Sequence, residues 1–241
     1  MLIVHKMKIC VYNSSRKNNS STELVIKQLI KYISKEKNVE CDIYNARNSE
    51  IKQCEGCEKC FKCGFCPLDK IDSMGKIKKS LKNADVIILG TPVYSAMVSG
   101  NMKIMIDRLS YFLHRFEFRH KIIIPVISAS GNSLIDTNAY FKKIIESWGA
   151  FVPFSIMFTV DVPNMLKSDK FMNELLRNYA DGIVKYCNRE EKITASDYQE
   201  LYFEQLKKIY SIPADTFEFR YWDSNNLTKY SSYQEIINAE M

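Results

Sequence analysis

The chain has 241 residues, 46% of them hydrophobic and 26% charged, which suits one sizeable globular domain and excludes a disordered or low-complexity chain. Its 34 basic and 28 acidic residues leave a net charge of +6, and the lysines of Lys27–Lys37 and Lys76–Lys82 spread over helical faces instead of forming the basic stripe of a nucleic-acid binder. No apolar run approaches the ~20 residues that cross a bilayer, and Met1–Lys6 is too short for a signal peptide, so the chain reads as cytoplasmic with reduced thiols.

Lys8–Tyr12 reads as a short buried strand. Ser20 to about Glu36 reads as a helix: Ser20 and Glu23 have capping-box spacing, and Val25, Ile26, Leu29 and Ile33 recur on one face. Val39–Tyr44 is a second strand. The cysteine-bearing stretch after it is expected as a loop, because Gly and Pro punctuate it, and Met74–Leu81 as a weakly marked helix. Asp85–Pro92 is a nearly all-apolar strand closed by Gly and Pro. A helix from Gly100 to about Phe112, a strand Lys121–Ser128, a helix Leu134–Trp148, a strand Phe151–Phe158 and a helix from about Asp169 to Tyr186 follow. Strands apolar on both faces, alternating with amphipathic helices, predict a three-layer α/β domain over residues 1–190 around a five-stranded parallel sheet. Residues 191–241 form a C-terminal extension rich in aromatics. In it Ser196–Tyr210 reads as a helix with Tyr198, Leu201, Tyr202, Leu206 and Ile209 inward, and the extension is expected to pack on the domain or, by preference, on a partner subunit.

In doubly wound sheets ligands bind where the strands end at their carboxyl edge, so the loops after the strands carry the functional signal. The loop after the first strand, Asn13–Thr22 (NSSRKNNSST), is dense in hydroxyls and amides, holds Arg16 and runs into a helix start. It is either an anion cradle at a helix N-terminus or a polar turn with an ordinary cap. The chain has neither G-x-G-x-x-G nor a Walker loop, and no G-x-S-x-G nucleophile elbow. His5, His114 and His120 sit in no catalytic motif.

Gly90–Arg108 (GTPVYSAMVSGNMKIMIDR) closely resembles the G-[ST]-P-x-Y … D-R signature of flavodoxin-fold NADPH-dependent FMN reductases. The first loop resembles that family's phosphate loop, with Asn13 where Gly is usual and Ser15 where Pro is usual. Ser128–Asn132 resembles its small-residue loop beside the flavin. The resemblance implies a flavodoxin-like, doubly wound sheet of order 2-1-3-4-5 and the cofactor FMN, with NAD(P)H as substrate. It implies Ser14, Arg16, Ser20 and Ser21 on the FMN phosphate, Thr91, Pro92, Val93 and Tyr94 along the ribityl chain and ring, and Ser130 and Gly131 at the ring. Asp107 and Arg108 are read as a structural charge pair at a helix end. The implied activity passes hydride from NAD(P)H through FMN to a quinone, a flavin or a similar acceptor, in a homodimer or homotetramer, with no side chain acting as general base.

Five cysteines fall between Cys54 and Cys66, at every third position. Cys54, Cys57, Cys60 and Cys66 have the compact spacing of iron-sulfur flavoproteins, which resemble the reductases and carry a [4Fe-4S] cluster near FMN. Related FMN-only reductases carry the same skeleton as a plain loop, and four close thiolates also suit zinc, so a cluster, a metal-free loop and a zinc site all remain open. With a cluster, the chain would be an electron carrier exchanging with a redox protein. Cys63 is the spare. Cys10, Cys41 and Cys187 are expected as buried apolar residues.

Overall fold

The computed structural model describes residues 6–160 and 169–240. Parallel strands β1 (Met7–Asn13), β2 (Val39–Asn45), β3 (Val86–Tyr94), β5 (Ile122–Ala129) and β6 (Ile156–Thr159) lie in the order β2-β1-β3-β5-β6, and β4 (Met97–Val98) pairs antiparallel with the end of β3. Apart from that two-residue arm, the order is the expected one. The pleat explains the apolar runs. Ile9, Val11, Val86, Ile88, Ile124 and Val126 face helices α1 (Ser21–Glu36) and α6 (Asp169–Cys187). Cys10, Tyr12, Ile87, Leu89, Ile123 and Ile127 face α3 (Met74–Asn83), α4 (Gly100–Arg108) and α5 (Leu134–Ser147).

The chain leaves β1 for β2 at one edge and returns to β3 on the other side of β1. The connections from β1 and β3 therefore diverge and open a crevice above the sheet. The loops after β1, β3 and β5 converge there.

Four expectations are corrected. The cysteine stretch is not all loop: α2 (Lys59–Cys63) forms one turn between Glu58 and Gly64, both left-handed, with the Gly64 amide bonded to Cys60 O. The helix after β3 stops at Arg108 and tightens into a 3-10 segment, Ser110–Arg115, once the Leu109 amide bonds to Ile106 O. The last strand pairs continuously only over Ile156–Thr159. Phe151 makes an isolated bridge to Ile122, and Pro153, with no amide proton, lies in the unpaired interval. In the extension, α7 (Asp197–Tyr210) buries Gln199, Phe203 and Leu206, whereas Leu201 and Ile209 are exposed.

The extension continues through α8 (Phe217–Ser224) and α9 (Tyr233–Glu240). Its Phe203, Leu206, Trp222, Leu227, Tyr233 and Ile236 close around Phe116 of the main domain. The Tyr233 hydroxyl donates to Gly149 O at 2.7 Å, Gln199 donates to Ala150 O at 3.1 Å, and Arg119 binds Glu240, Tyr221 and Asn225. These aromatics, read from sequence as suiting a subunit interface, are buried within the chain itself.

Candidate functional site

The first loop is held to the sheet by its own polar atoms. Asn13 Oδ1 accepts the Ser15 amide at 3.2 Å and Ser15 Oγ accepts the Lys17 amide at 3.3 Å. Asn13 thus ties the turn with a side chain where the resembling family has glycine, while its Nδ2 is buried without a partner. Ser14 points into the protein. Its hydroxyl donates to Gly90 O at 3.0 Å and accepts from Ser99 at 2.7 Å, and Asn101 Nδ2 donates to Ser14 O at 3.4 Å. The Ser14 hydroxyl is therefore engaged in joining β1, β3 and α4.

The loop ends in a helix start whose first amides are left open. Ser20 Oγ accepts the Glu23 amide at 3.2 Å, and Ser20 O accepts the Leu24 amide. The amides of Ser21 and Thr22 in this first turn have no acceptor within the helix, and none is recorded for them elsewhere among the described residues. The Ser20 hydroxyl keeps its proton to donate. Glu23 does not complete the box at Ser20. It accepts the Asn19 amide and the guanidinium of Arg47, whose hydrogen bond, against the effect of burial, pulls the Glu23 carboxyl down to about 2. The Arg16 guanidinium donates to Ala46 O at 3.0 Å and lines a cleft of about 330 Å³ with Tyr12, Ser49 and Asn101.

The loops after β3 and β5 form the second half. Thr91 is fully buried, and its hydroxyl accepts the Ser99 amide at 3.0 Å. The chain then turns back at Ser95 and Ala96, both left-handed (φ 50° and 62°), the conformation of a two-residue type I′ hairpin. The turn leaves Tyr94 57% exposed at the tip instead of packed in the core. Val93 and Ala96 face Ala129, Ser130, Gly131 and Asn132 across an open cleft of about 470 Å³. Thr137 of α5 donates to Ala96 O at 3.4 Å, and Thr22 Oγ1 meets Ser128 Oγ at 2.7 Å, tying α1 to the end of β5 next to the cleft.

Of the residues read from sequence, Ser20 and Ser21 stand at the helix start, Val93, Ser130 and Gly131 line the cleft, and Pro92 and Tyr94 flank it. Ser14 and Thr91 have hydroxyls engaged in the frame. Thr22, Ser99, Asn101 and Ala129 fall inside the quoted loops, but of these only Ser99, before the Gly100 helix start, carries a signal of its own, as a cap. The donor set suits a mononucleotide: free amides and a hydroxyl for a phosphate, and an open slot of small residues, Val93, Ala96, Ala129, Ser130 and Gly131, for a ring.

The cysteine segment hangs from one buried guanidinium. Arg108, with its side chain fully buried, donates to Lys52 O at 2.8 Å, to Asp69 at 2.7 Å and to both oxygens of Asp72. Asp72 also accepts the amides of Lys52 and Met74, and Lys78 binds Asp69 at 2.9 Å. The residues just before Cys54 and just after Cys66 are thus fastened together. The sequence pairing of Asp107 with Arg108 is corrected, because Asp107 binds Lys103 instead.

On the segment itself Cys54, Cys57 and Cys63 are exposed, Cys60 is half-buried and Cys66 is buried. Burial first, then the neighbouring Cys66 and Cys54 thiols, push the Cys60 thiol up to about 11. The donor chemistry suits a cluster or zinc, but no three His, Cys, Asp or Glu side chains among the described residues gather at metal-holding distance. Burial pushes Cys10 and Cys187 up to about 12 and Cys41 to about 11; Cys10 is buried as expected, whereas Cys41 and Cys187 are only half-buried against the core. No helix among the described residues is long and apolar enough to cross a membrane.

Residues 7–162 match the family model described as NADPH-dependent FMN reductase. A protein named iron-sulfur flavoprotein from Archaeoglobus fulgidus is 29% identical over 153 residues, 63% of this chain and 74% of its own. A solved NADH:FMN oxidoreductase in its apo form superposes with a TM-score of 0.57 at 17% identity, over 80% of this chain and 94% of its own. An NAD(P)H:quinone oxidoreductase from Methanothermobacter marburgensis gives a TM-score of 0.56 at 12% identity, over 74% of this chain and 100% of its own.

Proposed function

This chain belongs to the NADPH-dependent FMN reductase family, and on that premise we propose that it is an FMN-dependent NAD(P)H oxidoreductase whose cofactor lies across the β1, β3 and β5 loops. The observation that carries the reading is the convergence of free helix amides at Ser21 and Thr22 with the slot between Val93–Ala96 and Ala129–Gly131. When bound, FMN would accept hydride from NAD(P)H and return electrons to a quinone, a second flavin or a similar acceptor. The chain's own part is binding and orientation. The Ser20 hydroxyl and the Ser21 and Thr22 amides take the phosphate charge, helped by the positive end of α1. Arg16, one of whose donors already holds Ala46 O, supplies a guanidinium beside that charge. The strained Ser95–Ala96 turn and the Thr22–Ser128 link fix the width of the slot, and Tyr94 borders its open side, where a nicotinamide would stack.

The test is direct. FMN added to purified protein is followed by quenching of flavin fluorescence, and NADPH is then added without oxygen. Saturable binding and rapid bleaching are expected. Protein that neither retains nor takes up FMN would end this reading.

A second reading is favoured by one specific observation, the tethering of Cys54–Cys66 at both ends by Arg108, together with the name of the Archaeoglobus relative. In it, Cys54, Cys57, Cys60 and Cys66 hold a [4Fe-4S] cluster, and the chain carries electrons to or from a redox protein. Iron and sulfide near four per chain after anaerobic purification, with no bleaching by NADPH, would favour it over the first.

A further inference from the structure

The C-terminal extension reaches the cysteine segment at Gly64. Phe217, the first residue of α8, lies against Gly64 so closely that a Cβ there would come within 2.3–2.7 Å of its ring. Beside it, Phe61 of α2 packs on the His114 ring at 5.2 Å. Two extension residues hold His114: the Tyr210 hydroxyl meets Nδ1 at 3.3 Å, and Trp222 Nε1 donates to His114 O at 2.7 Å. Arg115 stacks between Tyr111 and Phe112 of the main domain and Phe217 and Tyr221 of the extension, 4.7–5.3 Å from each ring.

We propose that the extension is part of the cysteine site: α8, acting through Phe217 on Gly64 and through His114 on Phe61, is the positioning element that holds the α2 turn carrying Cys60 and Cys63. The physical case rests on length. A five-residue helix cannot sustain itself in water, and its stability comes from what packs on it. Arg108 fixes only the two ends of the segment, several residues away from α2 on either side. Between those ends, Cys60 and Phe61 also pack against the main-domain core, and the aromatic contacts of the extension add to that support. The turn leaves its thiols unequally open. Cys60 is half-buried, while Cys54, Cys57 and Cys63 stay exposed. This inference is independent of whether the thiols hold a metal.

The experiment compares the full-length protein with Phe217→Ala, Phe217→Leu and Tyr210→Phe, reading amide hydrogen exchange at residues 58–66 with the α3 amides as the internal standard. That readout works with or without metal on the thiols. Loss of one aromatic contact is expected to speed exchange in 58–66 by about tenfold in Phe217→Ala, with α3 unchanged. Phe217→Leu, which still fills the space over Gly64, should recover most of the protection, and Tyr210→Phe should give a smaller increase. If Phe217→Ala does not fold, the Leu and Phe variants carry the comparison. Unchanged exchange at 58–66 in the folded variants, or an equal rise at 58–66 and in α3, would overturn the proposal.

Discussion

Replacing Arg108 with methionine removes a charge but little volume, so it isolates the ion-pair knot beneath the cysteines. The guanidinium is buried and its partner Asp72 is almost fully buried, with only the Lys52 and Met74 amides left to it once Arg108 is gone. Asp69 keeps Lys78. Most of the loss therefore falls on one uncompensated carboxylate, and breaking a buried pair in this way costs about 3–5 kcal/mol. Asp72→Asn in the Arg108→Met background should recover about 1–3 kcal/mol, because it removes the stranded charge. Arg108→Lys should fall in between, since one ammonium cannot span Lys52 O and two carboxylates. Urea unfolding measures all three, as midpoint shifts at constant slope. A loss under about 1 kcal/mol for Arg108→Met, or no recovery with Asp72→Asn, would refute the assignment of this knot as the anchor of the segment.

Ser99→Ala breaks both the Ser14 link and the α4 cap, and should cost about 1–2 kcal/mol in the same assay. Arg16→Ala should weaken FMN binding by about 1.5–3 kcal/mol if its guanidinium meets the phosphate, and unchanged affinity in a fluorescence titration would remove it from the site. Acid should destabilise the protein in a defined window. The Arg47 hydrogen bond holds Glu23 down to about 2, and Asp72, which burial alone would raise, is held below its ordinary value by Arg108 and two amides. Both groups are depressed in the folded state, so their contribution is complete above the usual carboxylate range near pH 4 and is lost as pH falls through the folded values. Melting temperatures should hold between about pH 7 and 5 and fall below about 4.5, less steeply in Glu23→Gln; an identical acid slope in that variant would contradict the assignment.

The apolar runs at Lys8–Tyr12, Asp85–Pro92 and Lys121–Ser128, with the helices between them, determined the parallel sheet, and the polar loops after them marked the edge proposed for the cofactor. Those features are local, written in periodicity and capping, so the sequence alone carried them. Side-chain direction and distant partners were decided only by the tertiary structure. Whether Ser14 faces a ligand or Gly90 and Ser99, whether Arg108 binds its neighbour Asp107 or reaches Asp69 and Asp72, and whether the aromatics of the extension serve a partner or close on Phe116 all depend on which elements the crossovers bring together. The Cys54–Cys66 segment shows the division most plainly. Its spacing pointed to soft-donor chemistry, but the packing of Phe217 over Gly64 joins residues more than 150 positions apart, a contact that no local pattern encodes.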